Sequence, residues 1–397
     1  MSAQKCIVLG VTGSIAAYKA AELVSKLGKI GYAVRVILTA GGSEFITPLT
    51  LETLSRAPVA CGQFSRNAPY EVAHIALAKR ADVFAVAPAT ADFIAKAANG
   101  IADDLLSTTY LATTAPIVIA PAMNESMLAR AATQRNIATL KADGCIFAEP
   151  ETGLLACGDT GRGRLAPVGD IVAAIESALQ REKDLSGKRI LVTAGPTREA
   201  VDPVRFLSNR SSGKMGFAIA RAAANRGAEV RLIAGPVALA TPFGVIRQDV
   251  TSSAQLCEAV LGAANWCDAL IMAAAPADFT IDAARHKIKK QGEGITLSLK
   301  PTADILAQVA GRKGNCIVMG FAAETQKLEE NALQKIRKKN LDFIAANDVS
   351  AANMGFGVDT NAVTLFCKDG QKVDSGLKSK RELADWLLNY IAAALDG

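Results

Sequence analysis

Residues 5–40, KCIVLGVTGSIAAYKAAELVSKLGKIGYAVRVILTA, decide the fold of the first half of the chain. The run KCIVLGV is short and apolar, which is typical of a buried strand. The segment GSIAAYKAAELVSKLGKIG is amphipathic with helical spacing and stops at a glycine, and YAVRVILTA is a second strand. A strand, a helix and a strand in this order predict a βαβ unit of a parallel sheet.

The same alternation continues along the chain. Three further strands are predicted in ADVFAVAPA, APIVIAPA and GCIFAEP, with helical segments between them. A doubly wound sheet of this kind binds ligands at the carboxyl ends of its strands. We therefore expect an α/β fold with a flavodoxin-like first domain over residues 1–180.

The charged stretch REKDLSGK, residues 181–188, is interpreted as a linker, after which a second domain over residues 189–397 begins. Strands are predicted in KRILVTAGPT, AEVRLIAG, CDALIMAAA, CIVMGFAA and LDFIAAN. In AVTLFCKDGQKVD the Asp-Gly pair predicts a β-hairpin, and KRELADWLLNYIAAAL a closing helix. The second domain should also be Rossmann-like, with a mixed sheet.

Composition limits the function. The chain has 397 residues, is 50% apolar and carries a net charge of +6 concentrated in local clusters. Local basic clusters favour a phosphorylated small molecule, and no nucleic-acid-binding pattern is present. We find neither a signal peptide nor a run long enough to span a membrane, so we expect a cytoplasmic protein. The 8 cysteines include no CxxC and there are 2 histidines, which predicts free thiols without a zinc site.

Small and polar residues mark ligand positions in the first half. Gly13 and Ser14 lie between strand and helix, where backbone amides can hold a phosphate, although the spacing is not GxGxxG. The strands APATAD and APAMN end in small residues that would let a flat ring approach. His74 and Asn124 are more often structural when taken alone. The glycine-rich segment GLLACGDTGRGRLA, residues 153–166, holds Cys157, which is either incidental or a thiol that must arrive and leave.

Taken in order, GSIAAYK, HIALAKRAD, APATAD, PAMN and GLLACGDTGRGRLA resemble the flavin-dependent phosphopantothenoylcysteine decarboxylases over residues 5–170. The resemblance implies that FMN is held by Gly13, Ser14, Thr39, Pro88, Ala89 and Thr90. It also implies that His74 assists proton removal, Asn124 binds the substrate carboxylate and Cys157 donates a proton from a closing flap. In these enzymes flavin oxidation of the thiol-bearing carbon creates the electron sink that loss of CO2 requires.

The densest motif of the second half is GPTREAVDPVRFLSNRSSGKMG, residues 195–216. It is not a P-loop because Met215 follows the lysine, but hydroxyl residues and glycine before a helix favour an anion. Arg205 adds positive charge and Asn209 an amide that can polarise a carbonyl. The basic runs HKIKKQ and KIRKK are most often solvated faces when they occur alone.

Together these motifs resemble the phosphopantothenate–cysteine ligase domain of the bacterial bifunctional family, over residues 188–395. The resemblance implies ligation of 4'-phosphopantothenate to cysteine through an acyl-cytidylate made from CTP with Mg2+. Asn209 and Arg205 would act on the intermediate, and Lys287 on the phosphates. The nucleotide would also contact Ala273, Ala274, Asp278, Thr302, Ala303, Asp304, Ile305, Phe321, Lys335 and Lys339. The resemblance assigns no magnesium ligands. Pro276, on the loop that carries Asp278, stands where valine is common in the family.

Two other functions are disfavoured. A nicotinamide-dependent dehydrogenase would need GxGxxG with an acidic residue about 20 positions later, which neither half has. A non-catalytic binding module would be expected to have lost the histidine, asparagine or cysteine of the first half. The resemblance further implies a homo-oligomer, with trimeric decarboxylase domains whose flavin sites lie between subunits and dimeric ligase domains, as in a dodecamer.

Overall fold

The computed structural model describes residues 4–63, 72–154, 160–180, 182–290, 296–324, 328–348 and 357–396. The chain divides into two compact units, Met1–Arg181 and Glu182–Gly397. Across the described ranges, no helix has both the length and the apolar character needed to cross a membrane.

The first unit is built on a five-stranded parallel sheet in the order β2-β1-β3-β4-β5. Its strands are β1 Cys6–Val11, β2 Ala33–Leu38, β3 Val83–Ala89, β4 Ile117–Pro121, β5 Ile146–Phe147, β6 Glu151–Leu154 and β7 Thr160–Arg164. Its helices are α1 Lys19–Ile30, α2 Ala40–Ser43, α3 Pro48–Ser55, α4 Ala73–Arg80, α5 Ala91–Ala98, α6 Leu105–Ala112, α7 Glu125–Ala129, α8 Ala131–Ala142 and α9 Val168–Leu179.

This strand order is that of flavodoxin-like sheets, so the predicted fold of the first half is confirmed. The central strand β3 is buried along its whole length, which explains its continuous apolar sequence. Helix α1 ends where Gly31 takes a left-handed φ of 106°, a conformation that glycine adopts without steric cost. The glycine-rich segment was not predicted to be a strand, yet β6 and β7 pair antiparallel at its two ends.

The second unit has an eight-stranded mixed sheet in the order β12-β11-β8-β13-β16-β17-β19-β20. Its strands are β8 Arg189–Ala194, β9 Arg198–Ala200, β10 Phe206–Ser208, β11 Glu229–Ala234, β12 Val245–Asp249, β13 Ala269–Met272, β14 Phe279–Thr280, β15 Lys300–Pro301, β16 Ile317–Glu324, β17 Phe343–Asp348, β18 Thr360–Asn361, β19 Thr364–Cys367, β20 Lys372–Asp374 and β21 Lys378–Ser379. Its helices are α10 Lys214–Asn225, α11 Ser253–Ala263, α12 Ile305–Ala310, α13 Leu328–Lys339 and α14 Lys380–Asp396.

Helices cover both faces of this sheet. One core joins α10 and α14 to side chains such as Ile190 and Val192, and the other joins α11, α12 and α13 to side chains such as Leu191. Successive residues of β8 therefore point into different cores, as a doubly wound sheet requires. The predicted hairpin is present, with β19 and β20 antiparallel, so the mixed sheet is confirmed.

The stretch interpreted as a linker contributes to the second unit. Leu185 is fully buried and belongs to the core formed with α10 and α14. The Asp184 carboxylate forms an ion pair with the Arg226 guanidinium, which is itself almost fully buried. The pKa of Asp184 lies below its usual value chiefly because Arg226 donates a hydrogen bond to it.

Candidate active sites

The first unit contains a cavity of about 640 Å³ at the carboxyl ends of β1, β3 and β4. Four of the predicted residues line it: Gly13, Ser14, Thr90 and Asn124. This position is where a sheet of this topology binds its ligand, between β1 and β3, the strands at which the strand order reverses.

Thr12 connects two of the predicted binding segments. Its hydroxyl donates to the carbonyl of Pro88 at 2.8 Å and accepts from the backbone N–H of Thr90 at 3.0 Å. Thr12 is only 3% exposed, so these bonds lie in the interior. This side chain, which the sequence analysis did not select, therefore helps to join the turn after β1 to the end of β3.

Thr39 and the strand residues Pro88 and Ala89 support the cavity without being among the residues that line it. The Thr39 hydroxyl accepts from the N–H of Gly42 at 3.1 Å and so caps α2. The backbone of α2 lies against the turn after β1, because a Cβ added to Gly13 would come within 3.0 Å of the Gly41 carbonyl carbon.

Asn124 begins α7, where its Oδ1 accepts from the N–H of Ser126 at 2.9 Å. Strand β7 lies directly beside it, since the N–H of Met123 donates to the carbonyl of Gly163 at 3.0 Å. Gly163 has a φ of 151°, and a Cβ there would lie 2.2 Å from the Met123 carbonyl oxygen. Cys157 falls between β6 and β7 and lies outside the described residues.

His74 is not among the residues that line the cavity. It is half-buried on α4, which packs against α6 and β1. Within one copy of the first unit, the structure thus brings together the predicted turn, strand ends and asparagine, but not the predicted histidine.

The residues present fit a flavin mononucleotide. Ile15, Met123 and Leu165 give the cavity an apolar lining of the kind that accepts an aromatic ring system. Lys19 and Arg164 place positive charge on the same lining, and the turn at Gly13 offers backbone amides to a phosphate.

The second unit contains a cavity of about 480 Å³ that crosses the carboxyl edge of its sheet. With the exception of Lys287, every residue predicted to contact the nucleotide lines it. These are Ala273, Ala274, Asp278, Thr302, Ala303, Asp304, Ile305, Phe321, Lys335 and Lys339. The two predicted lysines of KIRKK lie on one face of α13, as their spacing predicted.

Local hydrogen bonds fix the side of this cavity that carries the predicted nucleotide contacts. Thr302 donates its N–H to the Asp278 carbonyl at 2.9 Å and its hydroxyl to the Ala277 carbonyl at 2.7 Å. The Asp304 carboxylate caps α12 and forms an ion pair with Lys339 at 3.0 Å. Burial raises the pKa of Asp304, but hydrogen bonds from Lys339 and the backbone outweigh this and lower it.

Asn209 lies next to the cavity rather than on its lining. Its Nδ2 donates to the carbonyls of Ala275 and Pro276, at 3.2 and 2.9 Å. Both acceptors are backbone carbonyls of residues that line the cavity. Proline keeps its carbonyl, so Pro276 still accepts a hydrogen bond from Asn209 although valine is common at this position in the family. The carboxylate of Asp278, on the same loop, is exposed on the cavity lining.

Arg205 and Lys287 also lie outside the lining, and Asp202 joins their segments. The Asp202 carboxylate accepts from the N–H of Arg205 at 2.9 Å and from the N–H of Ile288 at 3.1 Å. Arg205 in turn donates to the Ile288 carbonyl at 3.0 Å. Burial raises the pKa of Asp202, but the backbone donors, with Val204 first among them, lower it overall.

Sequence reasoning missed one side of the cavity. Lys214, Asn347, Asn361 and Lys380 line it as well. Asn361 and Lys380 come from the two-residue pairing of β18 with β21 and the start of α14, for which no apolar periodicity gives a signal. The described residues contain no cluster of three or more histidine, cysteine or acidic side chains able to hold a metal.

Comparison with known proteins gives a separate family match for each of the two units. The family described as DNA/pantothenate metabolism flavoprotein C-terminal domain matches residues 185–395, and the flavoprotein family matches residues 1–180. The coenzyme A biosynthesis bifunctional protein CoaBC of Bacillus subtilis is 49% identical over 391 residues, which cover 98% of this chain and 96% of that protein.

The protein of the same name from Haemophilus influenzae is 48% identical over 389 residues, covering 98% of this chain and 97% of that protein. A crystal structure of the C-terminal domain of a coenzyme A biosynthesis bifunctional protein is 41% identical, covers 54% of this chain and 99% of that one, and gives a TM-score of 0.48. The chain therefore belongs to the family of bifunctional coenzyme A biosynthesis proteins.

Proposed function

We propose that the second unit joins 4'-phosphopantothenate to cysteine with CTP, and that the first unit decarboxylates the product to 4'-phosphopantetheine. The observation that best supports this proposal is the presence on one chain of two cavities, each lined by residues predicted for one of the two reactions. Full-length similarity to bifunctional proteins of coenzyme A biosynthesis supports both halves together.

In the ligase reaction, the carboxylate of 4'-phosphopantothenate attacks the α-phosphate of CTP, and pyrophosphate leaves. The cysteine amine then attacks the acyl carbon of the resulting anhydride, and CMP leaves as the amide forms. Lys335 and Lys339 on the cavity lining, together with Lys287 from outside it, would neutralise charge on the phosphates. The hydrogen bonds from Nδ2 of Asn209 to the carbonyls of Ala275 and Pro276 fix its amide beside the cavity. Asn209 and Arg205 would act on the acyl-cytidylate.

Magnesium would enter with the nucleotide. Magnesium ions are commonly held by one or two carboxylates together with substrate phosphates. Among the described residues, the cavity lining has the carboxylates of Asp278 and Asp304, and Asp304 is paired with Lys339. We therefore propose Asp278 as a magnesium ligand.

In the decarboxylase, Gly13, Ser14, Thr39, Pro88, Ala89 and Thr90 would hold FMN. When bound, FMN supplies the oxidation and return of electrons that make loss of CO2 from a cysteine carboxylate feasible. Asn124 would bind the substrate carboxylate at the start of α7. Cys157, on the segment between β6 and β7, would donate the final proton while that segment excludes water.

We place the protein in the cytoplasm. A homo-oligomer, which the resemblance implies to be a dodecamer, would complete the first site. Ile15, Tyr18 and Met127 are large apolar side chains on the cavity lining and are each about half exposed or more, which favours contact with another copy. Such a contact would explain why His74 is not among the residues that line the cavity of its own copy.

Cofactor content is tested by the visible absorption spectrum of the purified protein before and after release of bound cofactor by heat. Flavin bands, with FMN in the released fraction, are expected. A colourless protein that fails to take up added FMN would exclude the proposed decarboxylase activity.

The role of the thiol is tested by Cys157→Ser in the full chain. We expect ligation to continue while 4'-phosphopantetheine falls and an oxidised, decarboxylated product accumulates. Cys61→Ser, which alters an exposed thiol elsewhere in the first unit, should leave both products unchanged. Normal output of 4'-phosphopantetheine from Cys157→Ser would remove the cysteine from the mechanism.

The role of the amide is tested by Asn209→Asp. We expect amide formation to be impaired, while decarboxylation of supplied phosphopantothenoylcysteine continues at the wild-type rate. Asn340→Asp, at an exposed position of the same unit, serves as the matched control. Unchanged ligation by Asn209→Asp would remove this residue from the site.

A further inference from the structure

The lining of the first cavity carries positive charge that no acidic residue on it balances. Lys19 and Arg164 both belong to this lining, and none of its described residues is an aspartate or a glutamate. Neither cation forms an ion pair with a carboxylate in the described part of the chain. Two uncompensated cations on one cavity favour two anionic groups on the molecules that it binds.

One of these charges is explained by the flavin. Lys19 begins α1, shortly after the turn at Gly13 and Ser14 whose backbone amides would hold the FMN phosphate. Arg164 belongs to a different element, because it is the last residue of β7, which packs against α7. The second charge is therefore left for another anion.

A bulge sets the direction of the Arg164 side chain. In the pairing of β6 with β7, Gly153 lies opposite Gly161. The register shifts directly after Glu151, so that Glu151 lies opposite Arg164. Arg164 thereby shares the face of the two glycines, and a Cβ added to Gly153 would lie 3.4 Å from its guanidinium. A Cβ added to Gly161 would overlap the carboxylate of Glu125 on α7. The Arg164 side chain thus lies on the hairpin face that contacts α7.

The neighbouring arginine of the same strand is already neutralised. The Arg162 guanidinium donates to the Glu149 carboxylate at 2.9 Å, and the Lys141 ammonium shares that carboxylate at 2.6 Å. Arg162 is not among the residues that line the cavity, whereas Arg164 is exposed on the lining. The guanidinium of Arg164 is therefore available as a bidentate donor to an oxyanion of a bound molecule.

The chemistry of decarboxylation decides which substrate anion this cation can serve. The proposed substrate has a carboxylate, which leaves as CO2, and a phosphate, which does not react. A cation on the carboxylate would stabilise charge that is lost in the transition state and would so raise the barrier. A cation on the remote phosphate holds the substrate without this penalty, and the carboxylate is left to the neutral amide of Asn124.

We propose that Arg164 binds the phosphate of phosphopantothenoylcysteine and makes the first unit selective for the phosphorylated substrate. This inference rests on the proposed decarboxylase function and adds a specificity residue to that site. FMN carries a phosphate monoester of the same chemistry, so the test separates the two sources.

The test compares the wild-type full chain with Arg164→Met, both loaded with FMN. Values of kcat/KM for decarboxylation are measured with phosphopantothenoylcysteine and with pantothenoylcysteine, which lacks the phosphate. We expect Arg164→Met to lower kcat/KM for the phosphorylated substrate roughly 10- to 100-fold, chiefly through KM, because hydrogen bonds to a charged group are lost. The value for pantothenoylcysteine should stay within about twofold of wild type. Arg164→Lys keeps the charge and should restore part of the selectivity.

Arg162→Met is the matched control, since it removes a cation of the same strand that is paired with Glu149 and lies off the lining. It should leave the ratio of the two kcat/KM values at the wild-type level. Kd for FMN is measured for each variant and should be unchanged in Arg164→Met.

A wild-type ratio of the two kcat/KM values in Arg164→Met would overturn the inference, as would equal use of both substrates by the wild-type chain. Weakened FMN binding by Arg164→Met, with the ratio unchanged, would assign the arginine to the flavin phosphate and would also overturn it. Failure of the FMN-loaded wild-type chain to decarboxylate phosphopantothenoylcysteine would instead overturn the proposed function. The two failures are therefore distinguishable.

Discussion

Thr12 makes the first site depend on a single hydroxyl group. It accepts from the N–H of Thr90 and donates to the carbonyl of Pro88, both on the segment proposed to hold FMN. Thr12→Val keeps the shape of the side chain but removes both bonds. The Pro88 carbonyl still accepts from the N–H of Thr12 at 3.3 Å, whereas the N–H of Thr90 loses its partner.

The expected cost follows from these contacts. A half-buried N–H left without an acceptor costs about 1 to 2 kcal/mol, and the Pro88–Thr90 segment relaxes to avoid it. Because FMN binding must then restore the segment, the same free energy opposes binding. We expect Kd for FMN to rise roughly 5- to 30-fold.

The assay is titration of FMN-depleted protein with FMN, followed by the change in flavin fluorescence. Thr12→Ser is the matched control, because it keeps the hydroxyl and loses one buried methyl group. It should lower the free energy of unfolding by about 1 kcal/mol and leave Kd for FMN close to wild type. A wild-type Kd for Thr12→Val would refute the idea that this hydroxyl positions the flavin-binding segment.

Three further predictions concern other parts of the chain. Gly163→Ala should abolish most decarboxylation, because the added methyl group would lie 2.2 Å from a backbone carbonyl oxygen. Gly153→Ala, on the partner strand, should be tolerated. Product analysis of both variants checks this, and equal decarboxylation by the two variants would contradict it. Asp184→Asn should lower the free energy of unfolding of the second unit at neutral pH. Since the folded-state pKa of Asp184 is lowered, the contribution of its ion pair with Arg226 is present above the unfolded pKa of about 3.9 and is lost as pH falls through the folded value. Denaturation of wild type and variant from pH 3 to 7 should give curves that converge at acid pH, and parallel curves would contradict the assignment. Asp202→Asn should reduce kcat/KM for ligation roughly 10- to 100-fold, because it releases the segments that carry Arg205 and Lys287. Steady-state kinetics of ligation check this, with the FMN content of the first unit as the control. Unchanged ligation would show that the Asp202 carboxylate is not needed to position these segments.

The long parallel strands were predictable from sequence because burial on both faces requires continuous apolar runs. Strands that are short or exposed lack such runs and were therefore not predicted. Strand β12 is an edge strand with a mostly exposed sequence, VIRQD, and so lacks such a run. The pairs β14 with β15 and β18 with β21 are two residues long and are determined by contacts distant in the sequence.

Some residues of the candidate sites were predictable from the sequence and others were not. Residues at strand ends, such as Thr90 and Asp278, were predictable because the carboxyl ends of parallel strands meet at one edge. Asp202 and Thr12 act through backbone groups of distant segments, which no local pattern records. Asn361 depends on the pairing of two short strands, which is visible only in three dimensions.

The most direct test of the account is product analysis with the full-length chain. The purified protein is incubated with 4'-phosphopantothenate, cysteine, CTP, Mg2+ and FMN, and the products are identified by mass spectrometry. The account predicts 4'-phosphopantetheine together with CMP and pyrophosphate, and no product when CTP is omitted. Absence of 4'-phosphopantetheine from the complete mixture, or its formation without CTP, would contradict it.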